Sequence, residues 1–403
     1  MTELADKEVT AIKDRVRAVI KGHAQVLVEV SHEIHARPEL NFEETFASAL
    51  LARTSSQLGL DAELGAYGVD TGVVAETGSG PTVCVMSEYD ALPGIGHGCG
   101  HNVIAAAGLG AAIGLAAVAE ECGGRLRFLG TPAEEGGGGK IVMARNGALV
   151  GVDAAMMVHS ADADLTQIDA IALQQLRVEY FGKEAHAAAA PHLGANALDA
   201  AVLGYMGVAA LRQHILPTER VHGIFLEAGV KPNIVPNRAS TEWYVRSDDI
   251  TSLGKLKERV LASLSAGAGA CGCGFAHEWI GDPYADLVTN GHLAASYVTN
   301  AAIVGRSVGD PAVSGHRVVG STDMGNVSHL VPTIHPMVKC APTGTAIHTE
   351  AFAGHARSAM ADAAVIDGAT AMALTAVDYW VSERLRAAVR ADFERANPSP
   401  DVL

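Results

Sequence analysis

The stretch of sequence that decides the fold is VCVMSEYDALPGIGHGCGHNVIAAAGLGAAIGLAA, residues 83–117. It begins as a short run with β-branched residues, crosses a glycine-rich loop and continues as an apolar segment rich in alanine and glycine. This order predicts a strand, a loop and a buried helix. Because the apolar run from Val103 to Ala117 is shorter than the ~20 residues of a membrane span, we interpret it as a helix packed against a sheet.

The same strand-to-loop pattern recurs further along the chain. RLRFLGTPAEE (125–135) and VDAAMMVHSADAD (152–164) both end an apolar run in a polar loop, and a long helical stretch is predicted from Ala351 to Leu385. Alternation of strands and helices predicts an α/β sheet with helices on both faces. Ligands of such sheets bind in the loops at the carboxyl ends of the strands, which directs attention to the segments around Cys99, Glu134 and His159.

The pattern changes between Ile171 and about residue 284. Here the segments read as strand, helix, strand, strand, helix and strand, the order of a β-α-β-β-α-β unit of the ferredoxin-like type. The α/β pattern then returns. We therefore predict a larger domain formed by residues 1–172 and 285–403, with a smaller domain, residues 173–284, inserted into it.

The composition excludes several kinds of partner. The 403 residues carry a formal net charge of −16, whereas binding to nucleic acid or to an anionic membrane needs clustered Lys and Arg. The six cysteines show no disulfide framework spacing, and the first 22 residues lack the basic and apolar regions of a secretory signal. We expect a cytoplasmic protein with neither nucleic acid nor a membrane as a partner.

Cys99 and His101 are the first candidates for chemistry. A buried cysteine alone is usually a small hydrophobic residue, and a lone histidine is usually hydrogen-bonded in the core. Together on a glycine-rich loop before a helix they indicate metal binding, since thiolate and imidazole both bind zinc-like ions. A Cys–His nucleophile pair is the competing interpretation, but it needs a third, orienting group, and none is found nearby in the sequence.

Glu134 and Glu135 in TPAEEGGGGK (131–140) are the second element. Adjacent carboxylates in a turn are usually solvated, but these two follow an apolar strand, where functional residues concentrate. One carboxylate can hold a metal while the other moves a proton from the attacking water to the leaving group. A phosphate loop is excluded because the segment lacks that motif's first glycine and the Ser or Thr after Lys140.

His159 and His348 complete the set of candidates. A single histidine at the end of a strand is more often structural than a ligand. Four separate segments that offer Cys, His, Glu, His and His change this balance, because such a set can hold two metal ions about 3.5–4 Å apart and activate a water molecule as the nucleophile.

Six motifs in order along the chain resemble the M20 metallopeptidase family, and within it the amidohydrolase branch that includes aminobenzoyl-glutamate hydrolases and β-alanyl dipeptidase-like proteins. The likeness extends from HARPELNFEE (35–44) to the last helix, and GSTDMGNVSH (320–329) also resembles this branch. The six motifs are GIGHGCGHN (94–102), TPAEEGGGGK (131–140), MVHSADAD (157–164), GKEAHAAAAPHLGANALDA (182–200), NIVPNRASTEWYVRS (233–247) and GTAIHTEAF (344–352).

The resemblance implies a dinuclear-metal, aminopeptidase-like α/β/α catalytic domain with an inserted ferredoxin-like dimerisation or lid domain. It implies that Glu134 is the general base and acid and that Asp90 orients a ligand from behind, whereas His97 matches no ligand position. The metal ligands that it implies are Cys99, His101, Glu135, His159 and His348.

In the inserted domain the resemblance points to residues that act on the substrate. His186 matches a family histidine that stabilises the oxyanion at the scissile carbonyl, commonly from the partner subunit. Asn233 and Arg246 match residues that bind the carboxylate or acyl side of the substrate, a task for which the arginine fork is suited.

The resemblance therefore implies a metal-dependent amidohydrolase or peptidase for a small N-acyl amino acid or dipeptide-like substrate, of the aminobenzoyl-glutamate or Xaa-amino-acid type. A homodimer through residues 173–284 is expected, with two divalent ions, zinc first and manganese or cobalt as possible substitutes. Two alternatives remain. The first is a relative that binds a ligand without catalysis; such a protein is expected to lack the general base, yet Glu134 and the ligand set are intact. The second is a hydrolase that uses Cys99 as nucleophile, whose activity would persist in the presence of a chelator.

Overall fold

A computed structural model describes residues 5–314, 319–399 and 401–403 of the chain, and these divide into two units. The first unit holds the described residues up to Ala170 together with those from Leu287 to Asp401 and Leu403. The second unit holds Ile171–Asp286 and Val402. The sequence prediction placed the two boundaries after residues 172 and 284. The first four residues of the predicted signal-free amino terminus lie outside the described part.

Fourteen strands are found in the described residues. They are β1 (Ala62–Leu64), β2 (Val73–Gly78), β3 (Thr82–Glu88), β4 (Arg125–Thr131), β5 (Ala154–Met156), β6 (His159–Ala161), β7 (Asp169–Ala170), β8 (Ala172–Phe181), β9 (Arg220–Glu227), β10 (Arg238–Ser247), β11 (Gly274–Tyr284), β12 (Val319–Gly320), β13 (Thr333–Ile334) and β14 (Met337–Lys339).

Thirteen α-helices accompany these strands in the same described ranges. They are α1 (Asp6–Gly22), α2 (Ala24–His35), α3 (Thr45–Gln57), α4 (His101–Ala116), α5 (Gly139–Arg145), α6 (Ala197–Leu211), α7 (Ile250–Cys271), α8 (Gly291–Ile303), α9 (Pro311–Ser314), α10 (Met324–Leu330), α11 (Glu350–His355), α12 (Ala359–Val381) and α13 (Glu383–Ala396).

The first unit is built on a six-stranded sheet with the order β1-β2-β4-β3-β5-β13. β3 pairs in parallel with β4 and β5, and β5 pairs in parallel with β13. β2 runs antiparallel to β1 and β4. The parallel strands therefore bring their carboxyl ends, and the loops that follow them, to one edge of the sheet.

Alternate residues of β3 face opposite sides of this sheet, and both sides are buried. Val83 and Val85 belong to the larger core, with residues from α1, α2, α4 and α12. Cys84 and Met86 belong to a second core with residues from α5 and α10. Strands covered on both faces read as continuous apolar runs, and all seven residues of β3 are buried. The prediction of an α/β sheet with helices on both faces is confirmed.

Small residues allow α4 and α12 to pack closely in the larger core. Every residue of α4 except Ala116 is buried. A Cβ at Gly110 would lie 2.9 Å from Leu27 Cδ1 and 3.0 Å from Ala369 Cβ, so a larger residue would separate α4 from α2 and α12. This explains why the segment from Val103 to Ala117 is rich in alanine and glycine.

Within the described ranges, α12 is the one helix that is long and apolar enough to cross a membrane by length and composition. Its most apolar window is 72% buried inside the protein. Because α12 packs against α1, α4 and α8, it has the surroundings of a core helix.

The long helical stretch predicted from Ala351 to Leu385 is wrong in its continuity, since the chain forms α11, α12 and the start of α13 there. Serine N-caps mark the two breaks. The Ser358 hydroxyl accepts a hydrogen bond from the Ala361 amide, and the Ser382 hydroxyl accepts one from the Leu385 amide. Serine satisfies free amides at the start of a helix, so each serine begins a new helix.

The second unit has the predicted β-α-β-β-α-β order, formed by β8, α6, β9, β10, α7 and β11. Its antiparallel sheet has the order β11-β8-β10-β9. Helices α6 and α7 pack against each other and against the sheet, and Leu176, Tyr180, Trp243 and Val260 lie in the core between them. β9 is an edge strand of this sheet.

Candidate metal centre

The candidate ligands lie where the chain leaves the carboxyl edge of the parallel strands. Asp90 follows the end of β3, and Glu134 and Glu135 follow the end of β4. His101 is the first residue of α4, and His159 is the first residue of β6. The fold therefore brings side chains from separate sequence motifs to one edge of the sheet.

Gly100 shapes the loop between Cys99 and His101. It caps α4 in a left-handed conformation with φ +70°, which glycine adopts without steric cost. A Cβ at this position would lie 2.8 Å from the Cβ of Ser160, while the Ser160 hydroxyl donates to the Gly100 carbonyl at 2.9 Å. The loop that carries Cys99 is thus fixed directly against the strand that carries His159.

Three groups of donor atoms have a spacing that suits a metal ion, with all atoms of a group within 4.8 Å of one another. Cys99 is shared by the group with His159 and the group with His348, and His101 is shared by the group with His159 and the group with Glu134. All five ligands expected from the sequence are brought together. The groups are Cys99, His101 and His159; Cys99, Glu135 and His348; and Glu88, His101 and Glu134.

Asp90 holds two of these segments in place from behind. Its Oδ1 lies 3.0 Å from His101 Nδ1, and its Oδ2 accepts a hydrogen bond from the Glu135 amide at 2.8 Å. When Nδ1 of His101 donates to Asp90, its Nε2 carries the lone pair that a metal ion needs. This geometry matches the orienting role expected of Asp90.

Several inward-facing polar atoms of the site are buried without a hydrogen-bond partner. They include His101 Nε2, Glu135 Oε1 and Glu88 Oε1. The ring of His159 is directed in the same manner, because its Nδ1 lies 2.7 Å from the Ser160 carbonyl oxygen. Since buried polar atoms are normally satisfied, these unpaired nitrogen and oxygen atoms beside a cysteine fit a bound divalent cation.

His348 is the most exposed of the five candidate ligands. Its backbone has φ +63°, a strained conformation for a residue other than glycine, and its amide donates to the Gly98 carbonyl at 3.0 Å. Its Nε2 lies 3.5 Å from Glu135 Oε1. The side chain of His348 is 54% exposed, against 11% for Glu135.

Burial and charge strongly perturb the titration of these groups. Burial raises the pKa of Cys99 well above its usual range, so the thiol needs a cation to become a thiolate. Burial also raises the pKa of Glu134, with the charges of Glu88 and Glu135 adding to the effect. A thiol with a raised pKa is a poor nucleophile, which favours Cys99 as a ligand over a cysteine-based hydrolase.

Glu44 supports the loop that carries Glu134. Its Oε1 accepts the amide of Ala133 at 2.9 Å, and its Oε2 accepts the hydroxyl of Thr71 at 3.1 Å. Ala133 itself has φ +59°. Burial raises the pKa of Glu44 to about 7 despite the hydrogen bonds from backbone amides that oppose this change.

The sequence interpretation missed Glu88, Lys140 and Asp323, which form a buried ionic network at the site. Lys140 Nζ donates to Glu88 Oε2 at 2.7 Å and to Asp323 Oδ1 at 2.8 Å. Burial opposes ionisation of Glu88, but Lys140 and His101 lower its pKa to about 2. The available signals were the polar end of β3 in SEYDALPG and the Asp323 in GSTDMGNVSH.

The remaining predicted residues belong to the second unit. His186 forms a β-bridge with Ile234, and the Ala187 amide donates to the Asn233 carbonyl at 3.1 Å. His186 and Asn233 are therefore neighbours, and both are exposed. Arg246 lies on β10, with its guanidinium 5.7 Å from the ring centroid of Tyr244. His97, in contrast, is buried in the first unit with its Nε2 3.1 Å from the Ile34 carbonyl oxygen.

The sequence profile of Peptidase family M20/M25/M40 matches residues 84–376 of the chain. The protein is a member of this family. As an M20 family member it is a hydrolase. The prediction that it hydrolyses amide bonds of small substrates is confirmed. The matched range includes every predicted site residue.

Curated relatives of this M20 family member match over almost its whole length. It is 36% identical over 406 residues to the Xaa-Arg dipeptidase of Mus musculus, covering 96% of this chain and 93% of the mouse protein. It is 28% identical over 440 residues to one of the subunits of the p-aminobenzoyl-glutamate hydrolase of Escherichia coli K12, covering 91% of each.

A solved structure supports the M20 fold of the protein. The Bacillus subtilis YXEP protein, described as a dinuclear metal binding peptidase of this family, aligns with a TM-score of 0.64 at 21% identity. The alignment covers 86% of this chain and 98% of the Bacillus chain. The two units thus correspond to a known M20 architecture.

Proposed function

We propose that this hydrolase is a dinuclear zinc enzyme that cleaves the amide bond of a dipeptide or a small N-acyl amino acid. The observation that carries the proposal is the position of Cys99, which belongs to two ligand groups and can bridge two ions. Bound ions would polarise the scissile carbonyl and lower the pKa of a water molecule. Thiolate, imidazole and carboxylate donors together favour zinc, with manganese or cobalt as substitutes.

Glu134 is the proposed general base and acid. Its Oε2 lies 3.9 Å from His101 Nε2, and the Glu44 contact to Ala133 holds the preceding backbone. In the proposed reaction Glu134 takes a proton from the attacking water and delivers it to the leaving amine. Glu135, one residue further along, serves as a metal ligand.

His186, Asn233 and Arg246 are the proposed substrate-binding residues of the second unit. The Arg246 guanidinium offers two parallel donors for the substrate carboxylate, and Asn233 offers an amide. His186 donates to the carbonyl oxygen as it gains charge. We expect His186→Ala to lower kcat by about 10²–10³-fold while the metal content stays that of the wild type; unchanged turnover would remove His186 from the site.

A homodimer through residues 173–284 is part of the proposal. Helix α6 exposes Val202, Leu203 and Met206, and the edge strand β9 exposes Ile224 and Leu226. An apolar surface of this kind on a soluble protein commonly marks an interface, and an edge strand offers free backbone groups for pairing. Light scattering should give the mass of two chains for the wild type and of one chain for Met206→Glu combined with Ile224→Glu.

We also propose a cytoplasmic location without nucleic acid or membrane partners. The net charge of −16 supports this. The six cysteines, all within the described residues, are free thiols, as is usual in a reducing compartment. Fractionation of the cells that produce the protein would test the location.

The deciding experiment is hydrolysis of a substrate panel before and after chelation, with zinc or manganese added back. The panel contains Xaa-Arg and other dipeptides, N-acyl amino acids and p-aminobenzoyl-glutamate, the first chosen because of the relative in mouse. We expect metal-restored cleavage of one subset. Activity that withstands the chelator but is lost on alkylation would identify Cys99 as a nucleophile, and bound metal with no cleavage would indicate a binding protein.

A further inference from the structure

We propose that Glu88 is an additional metal ligand, whose Oε1 binds the ion held by Cys99, His101 and His159. This inference rests on the proposed dinuclear centre and extends it by one residue. The ligand set that the family resemblance implies does not contain Glu88, which ends β3.

The position of Glu88 Oε1 is the first argument. This atom is fully buried and has no hydrogen-bond partner. It lies 3.4 Å from His101 Nε2 and 3.9 Å from His159 Nε2. Two donor atoms that bind the same zinc ion at about 2.0–2.2 Å in a tetrahedral arrangement lie roughly 3.4 Å apart, so the spacing of these atoms suits one shared ion.

The second argument is how Glu88 is held. Its other oxygen, Oε2, accepts Lys140 Nζ at 2.7 Å, and Lys140 is paired in turn with Asp323 at 2.8 Å. The Lys140 backbone amide also donates to Asp323, at 2.9 Å. Metal-binding carboxylates are commonly oriented by such hydrogen bonds, and this one leaves Oε1 turned toward the two histidines.

The charge balance is the third argument. The side chains of Lys140, Glu88 and Asp323 are all inaccessible to solvent. One ammonium group cannot neutralise both carboxylates, and an uncompensated buried charge is costly. A divalent cation beside Glu88 Oε1 would be favoured by this excess of carboxylates over ammonium groups.

The assignment distinguishes the two ions. With Glu88 included, the ion at His101 and His159 would have a buried carboxylate donor from Glu88 in addition to the Cys99 thiol that is grouped with the two histidines. The second ion would have Cys99, Glu135 and the exposed His348. Closed four-ligand sites are typical of tightly held ions, whereas an open position is typical of an ion that meets substrate.

The test measures metal binding by Glu88→Gln, using competition between the metal-free protein and a chromophoric chelator for zinc. We expect the tighter of the two dissociation constants to rise by at least about 10-fold, with the weaker one little changed. With cobalt in place of zinc, the thiolate-to-metal absorption should remain while the ligand-field bands change. Asp323→Asn is the matched control, because it removes the same charge from the same network without removing the donor.

Wild-type constants and an unchanged cobalt spectrum for Glu88→Gln would overturn the inference while leaving the dinuclear centre intact. Binding of fewer than two ions by the wild type would instead contradict the dinuclear centre itself. If Glu88→Gln does not fold, a crystal structure of the zinc-loaded wild type decides: a Zn–Oε1 distance of about 2.0–2.2 Å supports the inference, and one beyond about 3 Å contradicts it.

Discussion

The two ligand groups that share Cys99 differ in their surroundings. Cys99, His101 and His159 are all buried. In the group of Cys99, Glu135 and His348, only Cys99 is buried, Glu135 is half-buried and His348 is exposed. The first group is fixed by the Gly100–Ser160 contact and by Asp90. The second depends on a loop residue, His348, with an unfavourable backbone conformation. One position is therefore buried in the core, and the other is partly exposed.

This difference indicates a division of work between the ions. A buried, pre-oriented donor set holds its ion with little reorganisation, whereas a partly exposed set leaves room for solvent and substrate. We expect the buried position to bind more tightly and to contribute to folding stability. The exposed position should exchange its ion faster and be the one closer to the substrate.

The largest expected effect is that of Cys99→Ala, because this residue belongs to both groups. The variant should lose affinity for both ions and with it all measurable turnover, as shown by elemental analysis and activity assays. Cys122→Ala is the matched control, since Cys122 is an equally buried cysteine in the core that belongs to neither group. Retention of one tightly bound ion by Cys99→Ala would show that the two positions are independent.

Glu134→Gln and Glu135→Gln separate proton transfer from metal binding at adjacent residues. Glu134→Gln should keep both ions and lower kcat by about 10²–10⁴-fold. Glu135→Gln should lose the exposed ion and keep the buried one. Metal content and kcat of both variants check this, and equal metal content in the two would contradict the separate roles.

His159→Ala and His348→Ala test the two positions one at a time. Each should weaken one ion by at least the roughly 10–100-fold that loss of a residue orienting a ligand costs, but His159→Ala should also lower Tm, because its ion is held in the core. His348→Ala should leave Tm close to that of the wild type. The comparison fails if both variants lose the same amount of thermal stability in zinc-containing buffer.

The smallest effect concerns Glu44, which supports the site without joining either group. The pKa of Glu44 is raised from 4.5 to about 7 in the folded chain, so the folded state holds an extra proton between these values. Its contribution to the free energy of unfolding is present below pH 4.5 and is lost as the pH rises through about 7. In Glu44→Gln the side chain at position 44 does not titrate, so the free energy of unfolding of this variant should not fall over the same pH range.

We therefore expect the stability of Glu44→Gln to gain about 3 kcal/mol relative to the wild type between pH 4.5 and pH 8. Denaturant unfolding at a series of pH values measures the difference. The two zinc dissociation constants should not change. A stability difference that is constant with pH would contradict the raised pKa of Glu44.

Much of the site could be predicted because its residues lie in compact motifs at strand ends. Cys99, Glu134 and His159 each follow or begin a recognisable strand, and the parallel sheet places such residues together. Glu88 and Lys140 could not be assigned in this way, since their role depends on a contact with Asp323 that is 183 residues from Lys140 in sequence. The breaks at Ser358 and Ser382 were missed because no proline accompanies either serine.

The most direct test of the account is stepwise removal of zinc from the loaded wild-type protein with a chelator, while bound zinc and turnover are measured together. The account predicts two zinc ions per chain that leave in two steps, with turnover lost in the first step and the buried ion retained until the second. Loss of both ions in a single step would contradict the difference between the two positions. Turnover that persists after both ions have left would contradict the metal-dependent mechanism.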